Sequence, residues 1–183
     1  MVFQHLRVPL IKIILMTIST NKVVTLTYKL SDHTTGEHIE ETTPENALTF
    51  LYGVGGMIPE FEEKLAGKTA GEHFDFHIVA ANAYGEQDPQ HIVMLPANIF
   101  HSEDGKFDAA MFQVGSLVPM SDSEGNQLRG RILEITDETV QMDFNHPLAG
   151  TDLHFTGTIL EVRDAEPEEL AHGHAHGPHG HQH

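Results

Sequence analysis

The residues best suited to chemistry lie at the end of the chain, in the stretch ELAHGHAHGPHGHQH, where six of the last twelve residues are histidine. Neutral imidazole is a good ligand for divalent nickel, copper, zinc and cobalt. A glycine-rich chain can fold several imidazoles around one ion, although ordering it costs conformational entropy. We therefore expect this tail to bind a divalent metal, with binding lost as the pH drops through about 6.5, where imidazoles protonate. The expected ligands are His172, His174, His176, His179, His181 and His183.

Other side chains give no comparable signal for chemistry. The adjacent acids Glu62 and Glu63 could act as a general acid and base, but adjacency is typical of a solvated charged run. No serine has a GxSxG context, and the absence of cysteine excludes disulfides, thiolate nucleophiles and Cys-based zinc sites. His73 and His77 lie in a strand-like segment, where residues i and i+4 are about 13 Å apart. We therefore do not expect these two histidines to form a metal site together.

The composition indicates a folded, strongly acidic protein. The chain has 183 residues, of which 39% are hydrophobic and 20% are charged, enough for one packed domain or a small domain with an insertion. Its 27 acidic and 10 basic residues give a formal net charge of -17. This charge repels phosphate backbones, so we expect no nucleic-acid partner. It favours metal cations and basic or unfolded polypeptides.

The first residues resemble an export signal only superficially. The apolar run over residues 8–18 is interrupted by Lys12, and no small-residue cleavage site follows it. The run is also shorter than the roughly 20 apolar residues that a membrane-spanning helix needs. We therefore expect a cytoplasmic protein with no membrane partner, in which residues 1–15 are an additional N-terminal segment and Met16 is the original start.

The remaining sequence predicts strands around one helix. The segment KVVTLTYKLS alternates, with Val24, Leu26 and Tyr28 on one face, which is typical of a half-buried strand. EHFDFHIVA and LHFTGTILEV alternate in the same way. IPEFEEKLAGK predicts a short helix that Pro59 begins and Gly67 ends.

The second half of the chain has a different texture, with short predicted strands in GSLVPM, LRGRILEIT and TVQMDF and a single helical turn in LPANIF. We therefore predict an α+β fold that is mainly β. An antiparallel sheet is wrapped on one short helix, and a small β-rich domain is inserted before the last strand.

The stretch GVGGMIPEFEEKLAGKTAGEHFDFHIVAANAYGE strongly resembles the core of FKBP-type peptidyl-prolyl cis/trans isomerases. The shared features are a glycine-led bend, an apolar pair before a helix with Glu-Glu, an apolar strand, and AYG. The segment that begins near Ile92, the stretch NHPLAGTDLHF and the His-rich tail resemble the bacterial SlyD-like subgroup. This resemblance extends from about Met16 to the end of the chain.

The resemblance implies an isomerase with a shallow apolar pocket for proline. This chain departs from the family pattern at two pocket positions, with Glu40 where the family usually has Asp and Phe61 where many members have Trp at the pocket floor. The resemblance also implies that the Ile58 backbone N–H bonds a substrate carbonyl. The implied pocket residues are Tyr28, Ile39, Glu40, Leu48, Met57, Ile58, Phe61, Tyr84 and Phe155.

The resemblance further implies four regions. Residues 16–91 and 145–165 form the isomerase domain, residues 92–144 form an insert-in-flap domain with chaperone-like binding of unfolded chains, and residues 166–183 form a flexible metal-binding tail. Rotation about an X–Pro bond breaks no covalent bond, so catalysis needs no cofactor.

The expected partners are unfolded or partly folded polypeptides with X–Pro bonds and divalent metal ions, with metalloenzyme maturation proteins left open. Two alternatives also stay open at this point. One is a nickel-type metal-handling protein that uses the fold as a scaffold. The other is a holdase, a chaperone that binds unfolded chains without turning them over, with a weakly active pocket.

Overall fold

The fold is taken from a computed structural model that describes residues 15–101 and 111–176. The described chain divides into two compact units. The second unit is Ala83–Thr151, and the first comprises the described residues before and after it. The predicted insert, residues 92–144, lies within the second unit. The predicted N-terminal segment falls almost wholly outside the described residues, as do His179, His181 and His183.

The first unit is built on a five-stranded antiparallel sheet. Four strands lie in the order β2-β1-β9-β4, and β3 also pairs with β1. The long strands β1 and β9 pair along their whole length, from Lys22 opposite Asp164 to Asp32 opposite Leu153. The strands are β1 (Lys22–Asp32), β2 (His38–Glu41), β3 (Leu48–Leu51), β4 (His73–Ile78) and β9 (Leu153–Asp164).

One short helix, α1 (Pro59–Leu65), packs its apolar side into the core of this unit. Pro59 suits the first helical position because proline lacks a backbone N–H and the N–H at that position has no acceptor within the helix. Gly67 follows the helix with a left-handed φ of 77°. Phe61 and Leu65, four residues apart, are both buried. The predicted antiparallel sheet around a short helix is thus confirmed.

The second unit contains a four-stranded antiparallel sheet in the order β5-β8-β7-β6. The strands are β5 (Ile92–Pro96), β6 (Leu117–Ser121), β7 (Gln127–Ile135) and β8 (Thr139–Asp143). The sequence predicted the last three of these strands but not β5. A 3-10 turn, Ala97–Phe100, follows β5 where a helical turn was expected. Ile132, Val140 and Met142 form the buried core of this unit together with Ala97 and Phe100.

A second helix, α2 (Pro167–His172), was not predicted from the sequence. It begins with a capping box, in which the Glu166 and Glu169 side chains each accept a hydrogen bond from the other residue's backbone N–H. Neither helix of the described chain has the length and apolar character needed to cross a membrane.

Candidate active site and metal centre

Several of the predicted pocket residues meet on one face of the first unit's sheet. Glu40 of β2 is paired with Leu30 of β1, Leu30 with Phe155 of β9, and Phe155 with Phe76 of β4. Directly paired residues in antiparallel strands point to the same face. The four side chains therefore form one row across the sheet. Tyr28 lies two residues from Leu30 on the same face, with its ring centroid 5.9 Å from that of Phe155.

A β-bulge sets the position of Ile39 and Glu40. Leu30 pairs with Glu40, and the next residue of β1, Ser31, pairs with His38, so Ile39 has no partner across the strand pair. A bulge breaks the strict alternation of side chains and can redirect a side chain toward a site. Glu40 is exposed and Ile39 is half-buried.

Phe61 forms the centre of an aromatic cluster below this row. Its ring centroid lies 5.0 Å from Phe155 and 5.7 Å from Phe76, both edge to face, and 6.2 Å from Phe50. Such pairs each contribute about 0.5–1.5 kcal/mol beyond their area burial. Phe61 is only 1% exposed and Phe155 is 6% exposed. Phe61 is therefore part of the packed floor beneath Phe155.

The remaining first-unit residues of the predicted set lie on β3 and in the segment just before α1. Leu48 of β3 is paired with Leu26 of β1, and Met57 and Ile58 precede the helix. All three are half-buried. The Ile58 carbonyl accepts the Glu62 backbone N–H at 3.2 Å. Within residues 15–101 and 111–176, the structure shows no hydrogen bond donated by the Ile58 backbone N–H.

Tyr84 belongs to the second unit. It is 42% exposed. Its ring stacks on His146, with the centroids 4.0 Å apart and the planes 4° from parallel. The His146 Nδ1 accepts a hydrogen bond from the Leu148 backbone N–H at 3.1 Å. His146 was not among the expected site residues, although it lies in the stretch NHPLAGTDLHF.

Gly157 allows β1, β9 and β4 to approach closely beside Tyr28. A Cβ at this position would lie 2.1 Å from the Thr27 carbonyl oxygen and 2.5 Å from the Phe74 ring. Both distances are shorter than any real contact, and the first is to backbone, which cannot rotate away. Glycine is therefore required at this crossing of the sheet.

An open groove of about 470 Å³ lies near Gly157. Among the predicted pocket residues, only Tyr28 lines it. Its other lining residues are mostly polar, whereas a site that desolvates a prolyl amide needs apolar walls. We therefore do not assign the isomerase site to this groove. The other lining residues are Thr27, Lys29, Glu41, Thr42, His73, Phe74, Asp75, Thr156, Gly157 and Thr158.

Three of the predicted metal ligands are brought together at the end of α2. One ligand atom from each of His172, His174 and His176 lies within 4.8 Å of the other two. Gly173, with a left-handed φ of 70°, turns the chain between the first two histidines. Three imidazoles in this arrangement fit the ligand preference of nickel, zinc, copper or cobalt.

Glu169 connects one member of this triad, His176, to Arg163 of β9. Its carboxylate is fully buried and accepts a hydrogen bond from each of the two terminal nitrogens of Arg163, both at 2.8 Å. The same carboxylate accepts the backbone N–H of Glu166 at 2.8 Å and of His176 at 2.7 Å. The Arg163 hydrogen bonds lower the pKa of Glu169 to about 2. Glu169 was not among the residues expected from the sequence, although the spacing of Glu166 and Glu169 around Pro167 matches the capping-box pattern.

The comparisons with known proteins agree with this architecture. The family described as FKBP-type peptidyl-prolyl cis-trans isomerase matches residues 16–114, more than half of the chain. The chain is 34% identical to the FKBP-type peptidyl-prolyl cis-trans isomerase SlyD of Aeromonas hydrophila over 165 residues, which is 90% of this chain and 74% of that protein.

Other SlyD proteins are similar to the chain to the same degree. The Vibrio cholerae protein is 34% identical over 161 residues, 88% of this chain and 76% of the relative. The Escherichia coli K12 protein is 32% identical over 164 residues, 90% of this chain and 80% of the relative. Each match spans most of both sequences. The chain therefore belongs to the FKBP-type peptidyl-prolyl cis-trans isomerases, as a SlyD-like enzyme that acts on X–Pro bonds of polypeptides.

Proposed function

We propose that the enzyme rotates X–Pro bonds over the row of side chains on the first unit's sheet, with Tyr28 and Phe155 as its apolar surface and Phe61 as the floor beneath. The observation that carries this proposal is the aromatic packing of Phe61 against Phe155, with Tyr28 beside it. Glu40, on the same face, is a positioning group for the substrate chain. Ile39, Leu48, Met57 and Ile58 complete the proposed site on the first unit.

The chemistry that this surface must supply is limited. The barrier to rotation is about 18–20 kcal/mol, because resonance keeps the amide planar. An apolar surface disfavours the charge-separated planar form, and binding the chain in a twisted turn favours the transition state. Lowering the barrier by about 4 kcal/mol accelerates rotation roughly 10³-fold. The Ile58 N–H can hold a substrate carbonyl while the bond rotates.

Tyr84 enters this proposal through the family resemblance alone. Replacing it tests the assignment, with Leu160→Ala as a matched control because Leu160 is 40% exposed. In a proline-limited peptide assay we expect Tyr84→Ala to lower kcat/KM at least about tenfold, a loss of about 1.4 kcal/mol in transition-state stabilisation. Leu160→Ala should leave it unchanged. Equal values for the two variants would remove Tyr84 from the site.

Glu40 is tested in the same assay against its neighbour Glu41, which is also exposed. If Glu40 positions the substrate chain, Glu40→Gln raises KM with little change in kcat, and Glu41→Gln changes neither. The same KM for both variants would exclude Glu40 from substrate contact.

We also propose chaperone-like binding of unfolded chains by the second unit. Within this unit, Ile132 and Met142 are fully buried in the core, and Val118 and Met120 pack against it. The proposed surface therefore consists of other apolar side chains. The large apolar side chains that this unit exposes include Met94, Ile99, Val114, Leu117 and Leu128.

Exposed apolar side chains of this kind provide contacts for unfolded chains, and methionine adapts to varied partners. The test is suppression of aggregation of a refolding protein by Val114→Ser/Leu117→Ser. We expect weaker suppression at unchanged peptide kcat/KM. Unchanged suppression would place chain binding elsewhere.

We further propose that the tail binds a divalent metal through His172, His174 and His176, together with His179, His181 and His183. The clustered ligand atoms of the first three support this, since their positions match the imidazole preference of such ions. A bound ion would connect His172, at the end of α2, to His174 and His176. His172→Gln/His174→Gln should lower nickel affinity in calorimetry without changing isomerase activity. Unchanged affinity would exclude these two residues as ligands.

Cytoplasmic location and contact with metalloenzyme maturation proteins complete the proposal. The first rests on the sequence features discussed above. The second rests on the proposed metal site. Fractionation of cells and co-purification with and without added nickel test these two points.

A further inference from the structure

Three imidazoles outside the sites described so far meet at one place on the first unit. The ring of His33 stacks on that of His77, with centroids 4.5 Å apart and planes 11° from parallel. The same His33 ring meets His154 at 5.7 Å with an angle of 75°. His77 and His154 are directly paired across β4 and β9, and His33 follows the end of β1. Three separate segments therefore bring these rings together.

The backbone fixes the positions of these residues independently of their rings. The His33 backbone N–H donates to the Asp152 carbonyl at 2.8 Å. The Asp32 carboxylate accepts the backbone N–H groups of Thr34 and Thr35 at 2.7 and 2.9 Å, which holds the turn after β1. The other two histidines lie inside hydrogen-bonded strands. The spacing of the three Cα atoms is thus set by the sheet.

Asp75 orients one of the rings. Its Oδ1 lies 2.8 Å from the His154 Nε2, so the carboxylate accepts an N–H from that nitrogen. In a neutral imidazole with this hydrogen bond, the Nδ1 carries the lone pair that a metal ion would need. Metal-ligating histidines commonly donate their other N–H to a carboxylate in this way, which raises their basicity. His33 and His77 are exposed, so solvent ions reach them freely.

We propose that His33, His77 and His154 form a second site for a divalent transition metal, separate from the tail. Unlike the tail triad, these three rings do not place one nitrogen each within 4.8 Å of one another, so binding requires the exposed His33 and His77 side chains to turn about their own torsions. Three neutral imidazoles select late first-row ions such as Cu²⁺, Ni²⁺ or Zn²⁺ over Mg²⁺ or Ca²⁺. The net charge of -17 raises the local cation concentration.

The test removes the tail ligands first. In the full chain, each of the six tail histidines carries a His→Gln substitution, which retains the backbone contacts of α2. Cu²⁺ is then titrated by calorimetry, and the bound ion is examined by electron paramagnetic resonance for coupling to imidazole nitrogen. We expect one equivalent to bind with nitrogen coupling. Circular dichroism checks that each variant remains folded.

Substitutions in this background identify the ligands. We expect His33→Gln or His77→Gln to weaken Cu²⁺ binding at least about tenfold, and Asp75→Asn to weaken it about tenfold through His154. His73→Gln is the matched control, because His73 lies on the same strand as His77, is also exposed and bonds Thr158 instead. It should leave binding unchanged. The proposal is overturned if no equivalent binds without the tail, if His33→Gln/His77→Gln binds as tightly as its parent, or if His73→Gln weakens binding equally.

Discussion

Replacing Glu169 by glutamine changes one charge and almost no volume, at a position where four donors converge. The carboxylate accepts two hydrogen bonds from Arg163 and two from backbone N–H groups, all between 2.7 and 2.8 Å. A glutamine side chain keeps one acceptor oxygen and places an NH₂ group against donors. Glu169→Gln therefore leaves buried donors unsatisfied and removes the charge opposite Arg163.

The size of the effect follows from the shifted ionisation of Glu169. Its pKa is lowered from 4.5 to about 2, chiefly by the Arg163 hydrogen bonds. Since one pKa unit corresponds to about 1.4 kcal/mol, this shift is worth up to roughly 3 kcal/mol. Part of Arg163 is solvent-exposed, which reduces the value toward about 2 kcal/mol. At 2–4 °C per kcal/mol for a chain of this size, Glu169→Gln should lower Tm by about 4–12 °C.

The pH dependence has a definite sign. Because the folded-state pKa lies below the unfolded value, this stabilisation is complete above about pH 4.5 and is lost as the pH falls toward 2. The Tm difference between wild type and Glu169→Gln should therefore be full at pH 7, smaller at pH 3 and nearly closed at pH 2. Differential scanning calorimetry of the metal-free proteins measures it.

Glu168→Gln is the control, since Glu168 is exposed on the same helix and should change Tm by less than about 1 °C. Equal Tm losses for the two variants, or a loss for Glu169→Gln that does not change between pH 7 and pH 2, would refute the assignment. The Glu166 and His176 backbone N–H groups bond different oxygens of the Glu169 carboxylate, so the single oxygen of glutamine cannot accept from both as the carboxylate does. Nickel affinity of the tail should then fall in calorimetry, while Glu168→Gln retains it.

Three other variants test the packing. A Cβ at Gly157 would lie 2.1 Å from the Thr27 carbonyl oxygen, so Gly157→Ala should lower the free energy of unfolding by more than about 2 kcal/mol. Gly56→Ala is the control, because a Cβ at Gly56 meets nothing within 4 Å, and similar urea midpoints for the two variants would contradict this prediction. Ile132→Ala should lower the free energy of unfolding of the second unit by about 2–5 kcal/mol in urea denaturation, because Ile132 is fully buried. Leu133→Ala should lower it by well under about 1 kcal/mol, because Leu133 is 37% exposed, and the reverse order would contradict the burial. Phe61→Leu should lower the free energy of unfolding in urea by about 1–3 kcal/mol, and it should also lower kcat/KM if Phe61 supports Phe155. Reduced stability with an unchanged kcat/KM would limit the role of Phe61 to the core.

The local pattern of the sequence determined much of the fold. Alternation in KVVTLTYKLS and EHFDFHIVA predicted β1 and β4, because half-buried strands carry a period of two. Pro59 and Gly67 predicted the ends of α1 through their backbone preferences. The family resemblance named the candidate pocket, since those residues stand in recognisable short strings. The metal-binding potential of the tail needed only its histidine content.

Long-range contacts were decided by the tertiary structure alone. The bulge that leaves Ile39 unpaired depends on the register of β1 against β2, which alternation within one strand cannot specify. The hydrogen bonds that Arg163 of β9 donates to Glu169 of α2 join these two elements, and their energy depends on burial that no local pattern reports. His33, His77 and His154 are distant in the chain, and only strand pairing brings their rings into contact. Sequence spacing reveals chemistry within one segment, whereas sites shared by several strands are set by how the sheet pairs them.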